Sequence, residues 1–140
     1  MKTHELSCPH CTRPFKTFEK NFSVGMAKTL VSLCRIYQGN GQQWVDWKGA
    51  GLSRTDIEKL TDWGFINAAP LQGRQKRPSL FTPSTLGWNF ATGGTFAPTA
   101  AVFHLADDQT EKVTGFGGHE VNIRDILKSI SLESLWSGAA

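Results

Sequence analysis

Two cysteines separated by two residues stand near the start of the chain, Cys8 and Cys11 in the stretch CPHC, and three chemistries use such a pair. A redox dithiol needs a strand before the motif and a long helix after it, because the helix N-terminus stabilises the attacking thiolate. Here seven residues precede Cys8 and Pro14 follows soon after Cys11, so a helix starting at the motif would be interrupted at once. A metal site suits the surroundings better. Cys-x2-Cys followed by a basic residue and an aromatic, CTRPF, has the form of a zinc knuckle, in which two thiolates converge on a tetrahedral ion. Four ligands close such a site and the chain has no second CxxC, so further donors must come from His4, His10, Cys34, His104 and His119. His10 lies between the cysteines and would point away from a shared ion, whereas His4 is near in sequence. The expected set is Cys8, Cys11 and His4 around Zn2+, with a pair of ordinary surface cysteines as the alternative.

No other stretch carries a catalytic set: GxSxG, a Walker loop and HExxH are all missing. GFGG at 115–118 runs into EVNI rather than into a helix start, so it reads as a turn and not as a phosphate cradle. His104 with Asp107 and Asp108 has no nucleophile beside it, and a surface hairpin is the simpler reading. The chain is expected to bind rather than to catalyse.

These residues need a scaffold, and 140 residues with 39% hydrophobic content, five Trp and nine Phe are enough for a folded core. No apolar run approaches the ~18 residues of a membrane helix, no signal-peptide core opens the chain, and three cysteines do not make a disulfide framework. A cytoplasmic protein is expected. Charge is uneven: residues 1–80 hold twelve Lys and Arg against six Asp and Glu, and residues 81–140 hold three against six. A basic first half suits a polyanion such as nucleic acid.

Along the chain, residues 1–21 lack periodicity and read as an irregular arm. Ser23 caps a helix whose Ala27, Leu30, Val31, Cys34 and Tyr37 share one face, so Cys34 reads as a buried small hydrophobe. QQWVDWKGAG is a short strand or turn. Ser53 caps a second helix with Asp56 at the third position of a capping box and Ile57, Leu60 and Trp63 inward. NAAPLQGRQKRPSLFT is a hairpin whose tip gathers Arg74, Lys76 and Arg77 with no acid among them. TPSTLGWNFATG gives a helical turn or two with Leu86 and Phe90 four apart. The tail reads as strand, DDQT turn, strand, GFGG turn, short strand, then a helix from Asn122 with Ile123, Ile126, Leu127 and Ile130 as its stripe, extended by Leu135 and Trp136.

The order helix, short strand, helix, hairpin with a basic tip resembles a winged helix-turn-helix domain. The wording TDWGFI before the hairpin and FTPSTLGWNFATGGTFAP after it is similar to small phage and bacterial winged-helix proteins, some of which begin with CPxC. The resemblance covers residues 23–98. It implies a winged-helix domain at 23–98 with a short extra helix in the GAG region, and with the residue readings on either side the expected fold is α+β: an irregular arm at 1–22, that domain, and a β-hairpin plus helix at 99–140 packed on it. It also implies binding of double-stranded DNA, with the helix before the wing in the major groove and the wing tip on the backbone. By position the contacts would be Ser53, Arg54, Thr55, Glu58 and Lys59 on the helix and Arg74, Gln75, Lys76 and Arg77 on the wing. Arg54 would take a guanine edge, and Ser53 or Thr55 a phosphate. Asp56, Glu58 and Asp62 give that helix an acidic component too. The last helix could serve a homodimer reading two half-sites. A different class of function is a protein-binding module, such as a phage-encoded inhibitor or adaptor of a host complex, using Trp44, Trp47 and the C-terminal apolar stripe.

The knuckle reading predicts one zinc per purified chain by elemental analysis and a lower melting temperature in chelator; metal-free protein with an unchanged melt would refute it.

Overall fold

The computed structural model describes residues 3–7, 14–71, 73–105 and 111–137, with backbone alone for 3–7, 14–19, 103–105 and 111–114. In chain order the elements are β1 (Thr3–Ser7), β2 (Pro14–Asn21), α1 (Val24–Gly39), β3 (Val45–Asp46), α2 (Arg54–Asp62), β4 (Ile66–Ala68), β5 (Leu80–Pro83), α3 (Thr85–Ala91), β6 (Ala97–Leu105), β7 (Glu111–Val121), α4 (Ile123–Leu127) and α5 (Leu132–Ser137). The fold is α+β. Two compact units divide the chain: 1–22 with 98–121, and 23–97 with 122–140. The strands of 99–121 thus group with the N-terminal segment and the last helices with residues 23–97, where the sequence reading kept 1–22 apart and joined 99–121 to the final helix.

The first unit is a sheet in the order β1-β2-β6-β7. β1 runs antiparallel to β2 with Ser7 opposite Pro14, and β2 runs antiparallel to β6 with Lys16 opposite Leu105. The arm expected to be irregular is therefore strand on both sides of CPHC. Its hydrogen-bond partner is a strand some eighty residues later, which no local periodicity announces. The ladder continues into the Phe22 N–H, which donates to the Thr99 carbonyl at 2.8 Å. GFGG is not a turn but part of β7. Its one departure from extended backbone is Gly118 at φ +72°, where a side chain would run into Thr99 of β6.

The second unit is organised around α1. Ser23 caps it by accepting from the Met26 N–H, and α1 packs against α2, α3, α4, α5, β3 and β5. Met26, Leu30, Leu33, Ile57, Leu60, Phe65, Phe90, Ile123 and Leu127 are fully buried, each worth about 1.5–3 kcal/mol relative to exposure. A small antiparallel sheet in the order β3-β5-β4 pairs Val45 with Phe81 and Ala68 with Phe81. The GAG region is a hydrogen-bonded turn, not a helix: the Ala50 N–H donates to the Asp46 carbonyl and the Leu52 N–H to the Trp47 carbonyl. Positive φ at Gly51 ends the turn before a second helical repeat can form.

Helix α3 turns Gly87, Phe90 and Ala91 inward, whereas Leu86 is 47% exposed, so the expected Leu86/Phe90 stripe holds only at Phe90. Gly87 lies directly on the backbone of Phe65, and a Cβ there would overlap the Phe65 carbonyl. Around that contact Phe65 stacks on Phe90 (4.9 Å, 20° between planes), the Ser84 N–H donates to the Phe65 carbonyl, and the Ser84 hydroxyl donates to the Gly64 carbonyl at 2.7 Å. The single C-terminal helix expected from the sequence is two short ones, broken at Lys128 with φ +56°. Asn122 and Asp125 form the full capping box, and the Asn122 amide also donates to the Gly93 and Thr95 carbonyls, tying α4 to the turn after α3. Arg124 bonds Glu133 at 2.9 Å and holds that carboxyl below its ordinary range.

Gly87→Ala should therefore destabilise the protein by about 2–3 kcal/mol in urea unfolding, since the overlap is with backbone and cannot be relieved by a rotamer change. Gly39→Ala, at the end of α1 with open space around it, should be neutral or stabilising by up to about 1 kcal/mol.

Candidate nucleic-acid interface

Helix α2 starts where Ser53 accepts from the Asp56 N–H, and it stops at Trp63 and Gly64, the latter at φ +76°. Ile57 and Leu60 fix which side of the helix is buried. Ser53, Arg54, Thr55 and Glu58 are left exposed and Lys59 half-buried. The Asp56 carboxylate does not close the capping box on its own helix. It turns toward the start of α1, accepting from the Thr29 hydroxyl at 3.2 Å and lying 3.3 Å from where a Gly25 Cβ would be. Negative charge at a helix N-terminus is stabilised there, and it is withdrawn from the solvent face of α2. Thr29 was not among the expected site residues; its role shows only when α1 and α2 are seen together.

The hairpin between β4 and β5 carries Arg74, Gln75, Lys76 and Arg77, all exposed. The Gln75 amide donates to the Ser79 hydroxyl at 3.0 Å and braces the tip. Helix and hairpin meet at Glu58: its Oε1 lies 3.2 Å from Arg54 Nε on the same helix and 3.5 Å from Arg77 Nη1 across the gap. The side chains are 47%, 59% and 68% exposed for Arg54, Glu58 and Arg77, so these pairs add little stability and the guanidiniums remain open to solvent. Two groups of residues some twenty positions apart in sequence thus share one surface. Arg54 and Arg77 meet Glu58 there and Arg74 and Lys76 are exposed on the hairpin, while Lys59, Asp56 and Asp62 of α2 are each half-buried.

Of the expected metal ligands, Cys8 and Cys11 lie outside the described residues. His4 is on β1 opposite Thr17, three residues before Ser7. Among the described residues no group of three His, Cys, Asp or Glu could hold a metal ion. Cys34 is a core residue of α1 with no exposed surface, and burial pushes its thiol up to about 12. It is a small hydrophobe and a poor thiolate donor. Trp44 is 43% exposed and Trp47 half-buried; Ile123, Leu127 and Leu135 of the C-terminal stripe are buried. A shallow cleft of about 580 Å³ runs between Gln38, Trp88, Arg124, Leu132 and Trp136. The Trp136 indole N–H there already donates to the Ala91 carbonyl, and the ring meets Trp88 edge-on at 5.5 Å.

No protein-family model, curated protein or solved structure matches the chain. Among the described residues no helix is long and apolar enough to cross a membrane.

In a Cys8→Ser/Cys11→Ser background, Cys34 should stay unmodified by a thiol reagent at pH 8 in the native protein and react fully in urea; rapid native labelling would show that α1 opens or that the thiol is accessible.

Proposed function

We propose that this protein is a small cytoplasmic winged-helix protein of phage or mobile-element type that binds double-stranded DNA, as a regulator and without catalysis of its own. The observation that carries the reading is the junction at Glu58, which joins the exposed side of α2 to the basic hairpin tip. The order α1, β3, turn, α2, β4, β5 and the sheet order β3-β5-β4 support it, the turn at 47–51 standing where such domains have a short helix. With Asp56 withdrawn to α1, the exposed surface is more basic than the composition of α2 suggests. Ser53 and Thr55 at the start of α2 suit a phosphate, and Arg74, Gln75, Lys76 and Arg77 suit the backbone beside it. We propose also that Cys8, Cys11 and His4 hold a zinc ion as a knuckle; the ion would supply structural cross-linking. The second reading, docking to a host protein, draws on the exposure of Trp44.

The test is a fluorescence-anisotropy titration with mixed-sequence duplex at several salt concentrations, wild type beside Arg74→Ala/Lys76→Ala/Arg77→Ala. The expected outcome is salt-dependent binding whose log–log slope falls by roughly two to three in the triple variant, at about 0.9 per phosphate contact. Absence of binding at low salt would refute the DNA reading and turn attention to Trp44.

A further inference from the structure

Phosphates surround any protein surface seated on a duplex, and a carboxylate on that surface is repelled unless it meets a hydrogen-bond donor. In the major groove the donors are the amino groups of cytosine N4 and adenine N6. Adenine places the acceptor N7 beside its amino group, so a carboxylate approaching it meets repulsion from one side; the cytosine edge offers the donor alone. Glu58 is the one acidic residue among the site residues of the α2 and hairpin surface, and a guanidinium from each of the two elements lies within reach of it. Both of its contacts, to Arg54 and to Arg77, use Oε1, so the carboxylate is oriented from two elements at once.

Arg54 precedes Glu58 by four residues on the same helix face, about 6 Å along the axis, which is close to two base-pair rises of about 3.4 Å. A guanidinium fitted for guanine O6 and N7 and a carboxylate fitted for cytosine N4 therefore stand at a spacing set by one turn of α2. Arg77 approaches the same carboxylate from the hairpin, so the hairpin's position is coupled to that of the reading pair.

We propose that Glu58 is a specificity-determining residue: it accepts from the amino group of a cytosine lying within two base pairs of the guanine taken by Arg54, and Arg77 holds it in that orientation while facing the backbone. The proposal rests on the DNA-binding reading above and names the sequence class that reading leaves open, a site with guanine and cytosine in close succession. Glutamine at the same position has the donor and acceptor that match adenine N6 and N7, so a single substitution should change which base is preferred.

The experiment is selection of bound duplexes from a pool with about ten randomised base pairs, for wild type, Glu58→Gln and Arg77→Ala, followed by anisotropy titration of the enriched duplex and of versions changed at one base. Wild type should enrich guanine and cytosine within two positions and discriminate against replacement of the cytosine by roughly tenfold. Glu58→Gln should keep the guanine, lose the cytosine preference in favour of adenine, and bind unselected duplex several-fold more tightly at low salt, since one repelled charge is gone. Arg77→Ala should weaken the cytosine discrimination while leaving the guanine. Unchanged melting of Glu58→Gln excludes misfolding as the cause. Identical enriched sites for wild type and Glu58→Gln, or wild-type binding without sequence preference, would overturn the role of Glu58 while leaving DNA binding intact. Failure of wild type to bind any duplex would overturn both.

Discussion

Helix α3 can reach the chain at Phe65 only because residue 87 has no side chain. Packing at that depth leaves no space between two backbones, so the contact admits no adjustment by rotamer, and the neighbouring groups are arranged to hold it. Phe90 stacks on Phe65, and Ser84 bonds the carbonyls or amides of Gly64, Phe65 and Gly87 from one side. Phe65 comes three residues after the end of α2 and leads into β4, while Ser84 follows directly on β5. The joint therefore fixes both ends of the segment that carries the basic hairpin, just after the exposed helix. The hairpin tip can be polar and unpacked because its two feet are anchored in a close backbone contact.

The same logic governs charge. Helix α2 holds acids at positions 56, 58 and 62 and bases at 54 and 59, a balance that a residue count treats as nearly neutral. Packing of α2 on α1 makes the acids unlike one another. Asp56 turns toward the first turn of α1 and the Thr29 hydroxyl, where the helix N-terminus stabilises it. Glu58, two residues on and so on the opposite side of the helix, stays on the open face and meets Arg54 and Arg77. What a partner meets is set by which carboxylates the fold has already used, and a charge tally cannot see that.

The strand unit follows a different rule. Pro14, Gly115, Gly117 and Gly118 are poor strand formers, and the sequence around them lacks alternation. They are strand because β1 pairs with β2 at Pro14, β6 offers β2 a ladder from Lys16 on, and β7 lies next to β6 in the sheet, so the backbone groups find partners whatever the side chains prefer.

Helices α1 and α2 were legible in the sequence with their caps, since Ser23 and Ser53 each begin a helix by a bond to the third residue on, an interaction wholly local in the chain, and α3 was legible as a helical turn or two, though not its Ser84 cap. The hairpin and its basic tip were legible for the same reason: two short strands around a polar, charged turn, with the exposure of Arg74, Lys76 and Arg77 following from their solvation. Cys34 could be placed in the core from its position on an apolar stripe. Other features were invisible: the strands flanking CPHC, the continuity of β7 through GFGG, the break at Lys128, the reason for Gly87 and the destination of the Asp56 carboxylate. Each depends on atoms brought near by distant parts of the chain, a sheet partner, a facing backbone or a neighbouring helix terminus. Local hydrogen bonding and periodicity are encoded within a few residues and can be read there, whereas pairing register, close backbone approach and the direction of a charged side chain are set by long-range packing, which only the tertiary structure decides.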